Sequence, residues 1–462
     1  MKKTKKLLSL MLAVPFLLPV VPVAFAQAAS DEPFQPVIRF VAASDTHVRD
    51  SDNVTADRIG KMMRLAYAEA DSHPTYQKID ALLIAGDLTN DGTKTEFDKF
   101  QNAVNNALRP GTQFLGVVAK NHDGYELPRK EMRAYYSEVS ANDADFHVVI
   151  NGYHFIGVSA SENQAAHYDS DQLKWFRQQL DNAVADKPNQ PVFVMHHEHN
   201  TGTVYGSSSY DRWGVSYFKN ILNKYPQAVD LSGHSHYPLN DPRSLWQGKF
   251  TAIGTGAIYY AEFTVEGLRT YHPADAYEVA TCWIVELDAN GNLHLRGMDV
   301  NAGECLCEYT LQNPADPANR DYTPRKRKAA STAPVFADDA AVTATQTFGG
   351  CTVQVPAAQS TDGMPIVLYR VTAKDRLGLP VVKNWTMPSY YLASTEEPIT
   401  LTVENLASGE YTICVTAETA YGVRSAPIKT TVTVEGKGAF ESFFARLQQQ
   451  IQYSFAVIKS WF

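Results

Sequence analysis

Apolar runs and apolar stripes alternate through the first part of the chain. Short runs at residues 37–43, 81–85, 114–118, 192–195 and 229–231 read as buried strands, each too short for a helix. Between them, residues 54–70 place Ile59, Met62, Met63, Leu65 and Ala66 on one helical stripe, and residues 95–108 do the same with Phe97, Phe100, Val104 and Leu108. Residues 173–184 read as a further helix. This order of strands and helices predicts an α/β sheet, in which loops at the carboxyl ends of strands converge on a ligand. From about residue 251 the rhythm changes. Runs 280–287 and 293–298 flank Asn290-Gly291, a strong hairpin turn pair. Residues 367–372, 400–403, 411–417 and 428–434 are short apolar strands between turn residues, the pattern of an all-β sandwich. Last, Phe440, Phe443, Phe444, Leu447, Ile451, Phe455, Ile458 and Trp461 recur at helical spacing, opposite Glu441, Arg446, Gln448, Gln449 and Lys459. That is an amphipathic helix. It suits docking on the body of the chain or on a second copy, or lying on a membrane or wall surface.

Residues 312–332 are rich in Pro, Asn and Asp and carry Arg325-Lys326-Arg327-Lys328, read as a solvated linker. The divisions that follow are a signal peptide at 1–26, an α/β domain at 36–310, a linker at 311–332, a β-sandwich at 333–434 and a helical tail at 437–462. The signal peptide rests on four lysines in residues 1–6, an apolar run at 7–26 and the small-x-small pattern Ala24-Phe25-Ala26. Pro15, Pro19 and Pro22 interrupt the run and argue against a retained membrane helix. A secreted or cell-surface location is expected, and no later stretch is apolar and long enough to span a bilayer. The chain carries a formal charge of −9, without the basic footprint of a nucleic-acid binder. Five cysteines leave open a Cys305–Cys307 link, or either paired with Cys282, with Cys351 and Cys414 as small buried residues.

The chemistry lies in patches that follow the predicted strands: Asp45-Thr46-His47, Gly86-Asp87, Asn121-His122-Asp123, Met195-His196-His197 and Gly233-His234-Ser235-His236. Carboxylate, amide and imidazole donors without a cysteine suit divalent ions such as Mn, Fe or Zn. Asp45 or Asp87 alone would pass for a strand-end turn residue. In series with the rest, they read as ligands.

Together the patches resemble the calcineurin-like metallophosphoesterase family over residues 37–300. The resemblance implies a four-layer αββα sandwich and two divalent metal ions. One ion would be held by Asp45, His47, Asp87 and His236, and the other by Asp87, Asn121, His196 and His234. His122 would contact phosphate or protonate the leaving group, and Asp123 would orient its ring. His197 would stay outside the ligand set. The chain departs from the family pattern at Lys120, where a glycine is usual, and at Glu198-His199, where a proline is common. The loop at 86–90 also lacks the tyrosine of purple acid phosphatases. In the sandwich, residues 406–413 are similar to the tyrosine-corner segment of fibronectin type III modules and residues 417–427 to their F–G turn. Val353 or Val355 stands where those modules carry tryptophan. The expected function is a secreted phosphoesterase that hydrolyses phosphomonoesters or phosphodiesters by metal-activated hydroxide attack. The alternative is a non-catalytic surface- or wall-binding protein on the same scaffold.

Overall fold

Strand Pro36–Ala43 serves two cores at once. Ile38, Phe40 and Ala42 enter one apolar cluster, while Val41 and Ala43 enter another. That is the two-residue period of a pleated strand. In the computed structural model, which describes residues 34–394 and 398–461, this strand lies inside a six-stranded sheet. The order across that sheet is Glu304–Leu311, Leu293–Asp299, Thr281–Asp288, Pro36–Ala43, Ala81–Ala85 and Gln113–Val117. The last three strands run parallel, and the first three are joined antiparallel. The predicted signal peptide lies outside the described residues.

A second mixed sheet orders Phe146–Ile150, Tyr153–Gly157, Val192–Asn200, Ala228–Gly233, Thr251–Gly254 and Leu245–Gln247, with Gly214–Val215 paired at the end of Val192–Asn200. The two sheets face each other through Phe40, Phe155, Phe193, Met195, Leu231 and Trp283. Helices Val54–Ser72, Lys94–Ala107 and Arg129–Ser140 cover the outer face of the first sheet through Met62, Phe97, Phe100, Met132 and Tyr136. Helix Ser170–Asp186 covers the second sheet through Phe176, Leu180 and Ala183. The result is the helix–sheet–sheet–helix stack expected from the sequence. The strand Glu304–Leu311 and the helix Arg129–Ser140 had no clear apolar signature, because both keep many polar or exposed positions.

Beyond it, sheets of three and four strands enclose a separate apolar core around Val353, Tyr369, Leu401 and Val415. The Tyr411 hydroxyl donates to the Ala407 carbonyl at 3.0 Å, closing the corner before strand Gly409–Thr419. This strand-rich region packs on the α/β part through Phe263, Val279, Leu368, Tyr390 and Tyr391. The basic tetrad departs from the solvated reading. It lies on helix Pro324–Ala330, where Arg327 is buried over the rings of Tyr309 and Tyr322 and donates to the Pro242 carbonyl. The stem of an arginine can cover aromatic surface while its donors reach carbonyls. All five cysteines are free thiols. Among the described residues, no helix is long and apolar enough to cross a membrane.

Candidate metal centre

Four of the five chemical patches sit at or past a strand end, the fifth, Met195-His196-His197, lies within strand Val192–Asn200, and the two sheets bring them together. Asp45, Asp87 and Asn121 follow Pro36–Ala43, Ala81–Ala85 and Gln113–Val117, while His234 and His236 follow Ala228–Gly233. The turns are sharp. Asp45, His47, Asp87, His234 and His236 all have positive φ, between 43° and 74°, a region that costs a non-glycine residue roughly 1–2 kcal/mol. A ladder holds them there: Asp45 N–H donates to the Gly86 carbonyl at 3.0 Å and His47 N–H to the Asp87 carbonyl at 2.9 Å. The His234 N–H donates to the Asp45 carboxylate at 3.0 Å. Strain concentrated on adjoining side-chain donors is a mark of a functional site.

Two clusters share one carboxylate. Asp45, His47, Asp87 and His236 offer donor atoms all within 4.8 Å of one another, and so do Asp87, His197 and His234. His47 Nε2 lies 3.1 Å from His236 Nε2, and His197 Nε2 lies 3.0 Å from His234 Nδ1. Nδ1–H of His236 donates to the Tyr260 carbonyl and Nδ1–H of His197 to the Ala85 carbonyl, so in the neutral rings the Nε2 lone pairs point into the clusters. Asn121 Nδ2 donates to Asp87 Oδ2 at 2.9 Å. Asp87 Oδ1, Asn121 Oδ1 and His47 Nδ1 are buried without a hydrogen-bond partner among the described residues. Buried oxygen acceptors left unpaired, beside facing imidazole nitrogens, fit divalent cations, which take such donors at about 2.0–2.2 Å.

The electrostatics agree. Burial alone would raise the Asp45 carboxyl, yet the adjacent His236 and the nearby His197 hold it well below the carboxylate range. Burial opposes ionisation of Asp87 too, and His197 outweighs it. Correspondingly, Asp87 raises His197 and Asp45 raises His236 against the pull of burial. Burial, with His197 beside it, lowers His234 to about 4.

The structure corrects the assignment of His196. On strand Val192–Asn200, Val192 and Val194 face the helix layer while Phe193 and Met195 face the other sheet. By that alternation His197 shares the Met195 face and reaches Asp87, and His196 points away. His196 Nε2 lies 2.9 Å from Asp230 Oδ1, and its ring stacks on Phe218 at 4.4 Å. Asn200 donates to the same Asp230 at 2.8 Å.

Asp123 also differs from its expected role. It is fully buried and accepts from Thr89 N–H, Thr89 Oγ1 and Ala119 N–H at 2.8–2.9 Å, tying the loop after Asp87 to the loop before Asn121. Burial, with Asp87 beside it, pushes its carboxyl up to about 6. The orienting partner of His122 is the Asn90 carbonyl, which accepts from Nδ1–H at 2.8 Å. The His122 ring stands edge-on to His47 at 4.4 Å. Lys120 is exposed with an ordinary negative φ, so this loop does not need glycine there. In the second departure from the pattern, Glu198 is buried against His167 and the Tyr168 hydroxyl, and His199 bridges Ser232 and Ser235, bracing the turn that carries His234.

Aromatic residues that the sequence reading did not single out border the centre. Tyr260 lies 4.1 Å from the His236 ring, Tyr259 5.5 Å from His47, Tyr125 4.8 Å from His122 and Trp213 5.1 Å from His234. Tyr259 and Tyr260 follow strand Thr251–Gly254, so the strand-end rule was the signal that could have found them.

Residues 38–238 match the family described as calcineurin-like phosphoesterase. A probable glycerophosphodiester phosphodiesterase of Arcobacter nitrofigilis is 24% identical over 199 residues, covering 42% of this chain and 71% of that protein. A purple acid phosphatase from yellow lupin (Lupinus luteus) superposes with a TM-score of 0.40 at 13% identity, over 60% of this chain and 54% of the lupin chain, so the chain spans about half the length of that neighbour. The fibronectin type-III domain of human fibronectin type III domain containing protein 3 superposes with a TM-score of 0.15 at 16% identity, over 23% of this chain and 88% of that domain.

Proposed function

We propose that this chain, whose residues 38–238 match the calcineurin-like phosphoesterase family, is a phosphoester hydrolase built on a dinuclear divalent metal centre, acting on phosphodiesters or phosphomonoesters outside the cytoplasm. The observation that carries the reading is Asp87, one buried carboxylate common to both donor clusters, with Oδ1 unpaired. Asp45, His47, Asp87 and His236 would hold one ion. Asp87, Asn121, His197 and His234 would hold the other. When bound, two such ions polarise phosphoryl oxygens and lower the pKa of water at the site.

The remaining work falls to side chains. The Asn90 carbonyl fixes His122 with its proton on Nδ1, and Nε2 is left free of that bond. With the ring protonated on both nitrogens, Nε2–H would contact a phosphoryl oxygen or pass its proton to the departing alkoxide, leaving a neutral ring with its proton on Nδ1. Thr89 and Asp123 hold His122 and Asp87 in register by joining their loops. The tyrosines and Trp213 at the rim narrow the approach and shield the reacting group from bulk water. Diester cleavage is favoured by the similarity to the Arcobacter nitrofigilis protein. Export is supported by the lysines and apolar run of residues 1–26. A fibronectin type III-like identity for the strand-rich region is supported by its two sheets and by the Tyr411–Ala407 corner.

Purified chain loaded in turn with Mn, Fe and Zn should hydrolyse bis(p-nitrophenyl) phosphate or p-nitrophenyl phosphate, and folded Asp87→Asn should lose that activity. Full activity in folded Asp87→Asn would overturn the reading. Near-zero metal uptake with no hydrolysis would favour a non-catalytic surface protein.

A further inference from the structure

The C-terminal helix Ala439–Lys459 packs the opposite way from an ordinary amphipathic surface helix. Its polar side meets the body. Arg446 donates to the Asn405 carbonyl, Gln449 accepts from Asn405, and the Tyr453 hydroxyl donates to the Glu266 carbonyl. Just beyond the helix, Trp461 donates to the Gly267 carbonyl and lies under the Arg269 guanidinium at 3.8 Å. The apolar stripe of Phe440, Phe444, Leu447, Ile451, Phe455 and Ile458 therefore points away from the protein. Phe440 is 76% exposed and Phe455 66% exposed. A soluble chain seldom leaves so long an apolar face uncovered.

Two hairpin tips carry further exposed apolar side chains at the end of the sandwich from which the helix departs. Phe348, 74% exposed, precedes Gly349, whose N–H donates to the Glu435 carbonyl in the segment leading to the helix. Leu377, 83% exposed, and Leu379 crown the turn beyond Lys374, which pairs with Thr412 in the strand that begins next to Ser408. Ser408 N–H in turn donates to the Lys437 carbonyl. Apolar side chains thus protrude from three separate elements around one corner.

We propose that this corner and the helix stripe dock on a lipid bilayer surface, with the helix lying in the interfacial plane. A second copy of the chain fits the same stripe less well. Paired helices take register from charges flanking the seam, whereas here the flanks are mainly Gln448, Gln450, Gln452 and Ser454. A partner protein would also need matching holes for Phe348 and Leu377, while acyl chains accept isolated apolar tips without preformed complementarity. Charge contributes little. Lys374, Arg376 and Lys437 are offset by Asp375, Glu435 and Glu441, so insertion of apolar groups, not attraction to anionic lipid, carries the binding. At 1.5 Å per residue the helix offers about 30 Å of contact length.

The test is hydrogen–deuterium exchange of the full chain with and without phosphatidylcholine vesicles, with and without added phosphatidylglycerol, at low and high salt. We expect several-fold slower exchange in residues 439–459 and at the two hairpin tips on both vesicle types, little changed by salt. That protection should vanish in Phe444→Asp/Ile451→Asp, while the α/β core exchanges as in the parent. Identical exchange with and without vesicles would overturn the proposal. So would protection that depends on protein concentration in the absence of lipid, which would assign the face to a second copy. Neither result depends on catalysis, so the phosphoesterase reading stands or falls separately.

Discussion

His197 Nε2 stands 3.2 Å from Asp87 Oδ2, whereas its neighbour His196 is turned away and lies 2.9 Å from Asp230. The strand's alternation therefore separates a residue of the Asp87 cluster from a packing residue at adjacent positions. His197→Ala should lose one of two metal equivalents, measured by elemental analysis, and with it at least about a hundredfold in rate, on the scale of losing a group that stabilises transition-state charge. His196→Ala should keep both equivalents. It leaves Asp230 buried with one partner fewer, and the melting curve should show a loss of about 1–3 kcal/mol.

His122 and Asp123 are also adjacent with different work. His122→Ala removes a side chain that no structural hydrogen bond needs beyond Asn90, so kcat should fall while metal content and stability hold. Asp123→Asn keeps the shape but sets an amide N–H₂ against one of the donors now bound by the carboxylate. A buried donor left unsatisfied costs about 1–3 kcal/mol, so stability should fall first, with activity following as the loops loosen. Equal loss of kcat at unchanged stability in both variants would contradict this division.

Metal uptake should weaken as pH falls. In the ion-free centre Asp87 and Asp45 raise His197 and His236, so protons occupy these donors at higher pH than on free imidazole. A cation must displace them. Titration calorimetry in buffers of different ionisation enthalpy should show proton release on Mn or Zn binding, with apparent affinity greater at pH 8 than at pH 6. Affinity independent of pH across that interval would contradict it.

Asp45, His47, Asp87, His234 and His236, which the structure brings together, were legible in the sequence because they lie past strand ends and carry oxygen or nitrogen groups. What escaped was orientation. Two consecutive histidines give the same letter twice, and only the face taken by Val194 and Met195 tells which one turns inward. The layered fold was legible for similar reasons, since apolar runs report burial well. They report partners poorly. The tail's periodicity revealed an apolar stripe but not that its polar side meets Asn405 and Glu266. Composition likewise marked the basic tetrad as solvated, and only tertiary contact buries Arg327 over Tyr309 and Tyr322.

Acid stability should depend on Glu286. Burial opposes its ionisation, but His294 and Arg39 outweigh it and bring the carboxyl from 4.5 to about 2. A carboxylate depressed in the folded state adds stability above its unfolded pKa and loses it as pH falls through the folded value. The contribution should thus be complete at pH 6 and fade between about pH 4.5 and 2. Denaturant melts at pH 6, 4 and 3 should show a shallower acid decline in Glu286→Gln, from a lower starting stability, since the charge partner of buried Arg39 is gone.

Gly86 joins the sequence pattern to His197. Its φ is +84°, and a Cβ there would lie 2.5 Å from His197 Nδ1 and 2.7 Å from its Cγ. The ring that reaches Asp87 is thus seated on the bare backbone of the residue before Asp87, and Nδ1–H is fixed by the Ala85 carbonyl one residue earlier. Gly86→Ala would meet two costs: a left-handed backbone, roughly 1–2 kcal/mol for a residue with a Cβ, and displacement of an imidazole held in a packed core. Asp87 and His234 lie at the ring's far nitrogen, 3.2 and 3.0 Å from Nε2, so moving the ring disturbs both. The variant should therefore fold less stably and, once folded, bind the ion at the Asp87–Asn121–His197–His234 cluster more weakly than the one at Asp45–His47–His236. Metal titration of Gly86→Ala alongside His197→Ala distinguishes the effects. A similar selective loss in both places the fault at the ring, whereas equal weakening of both ions in Gly86→Ala would place it in the Asp87 backbone.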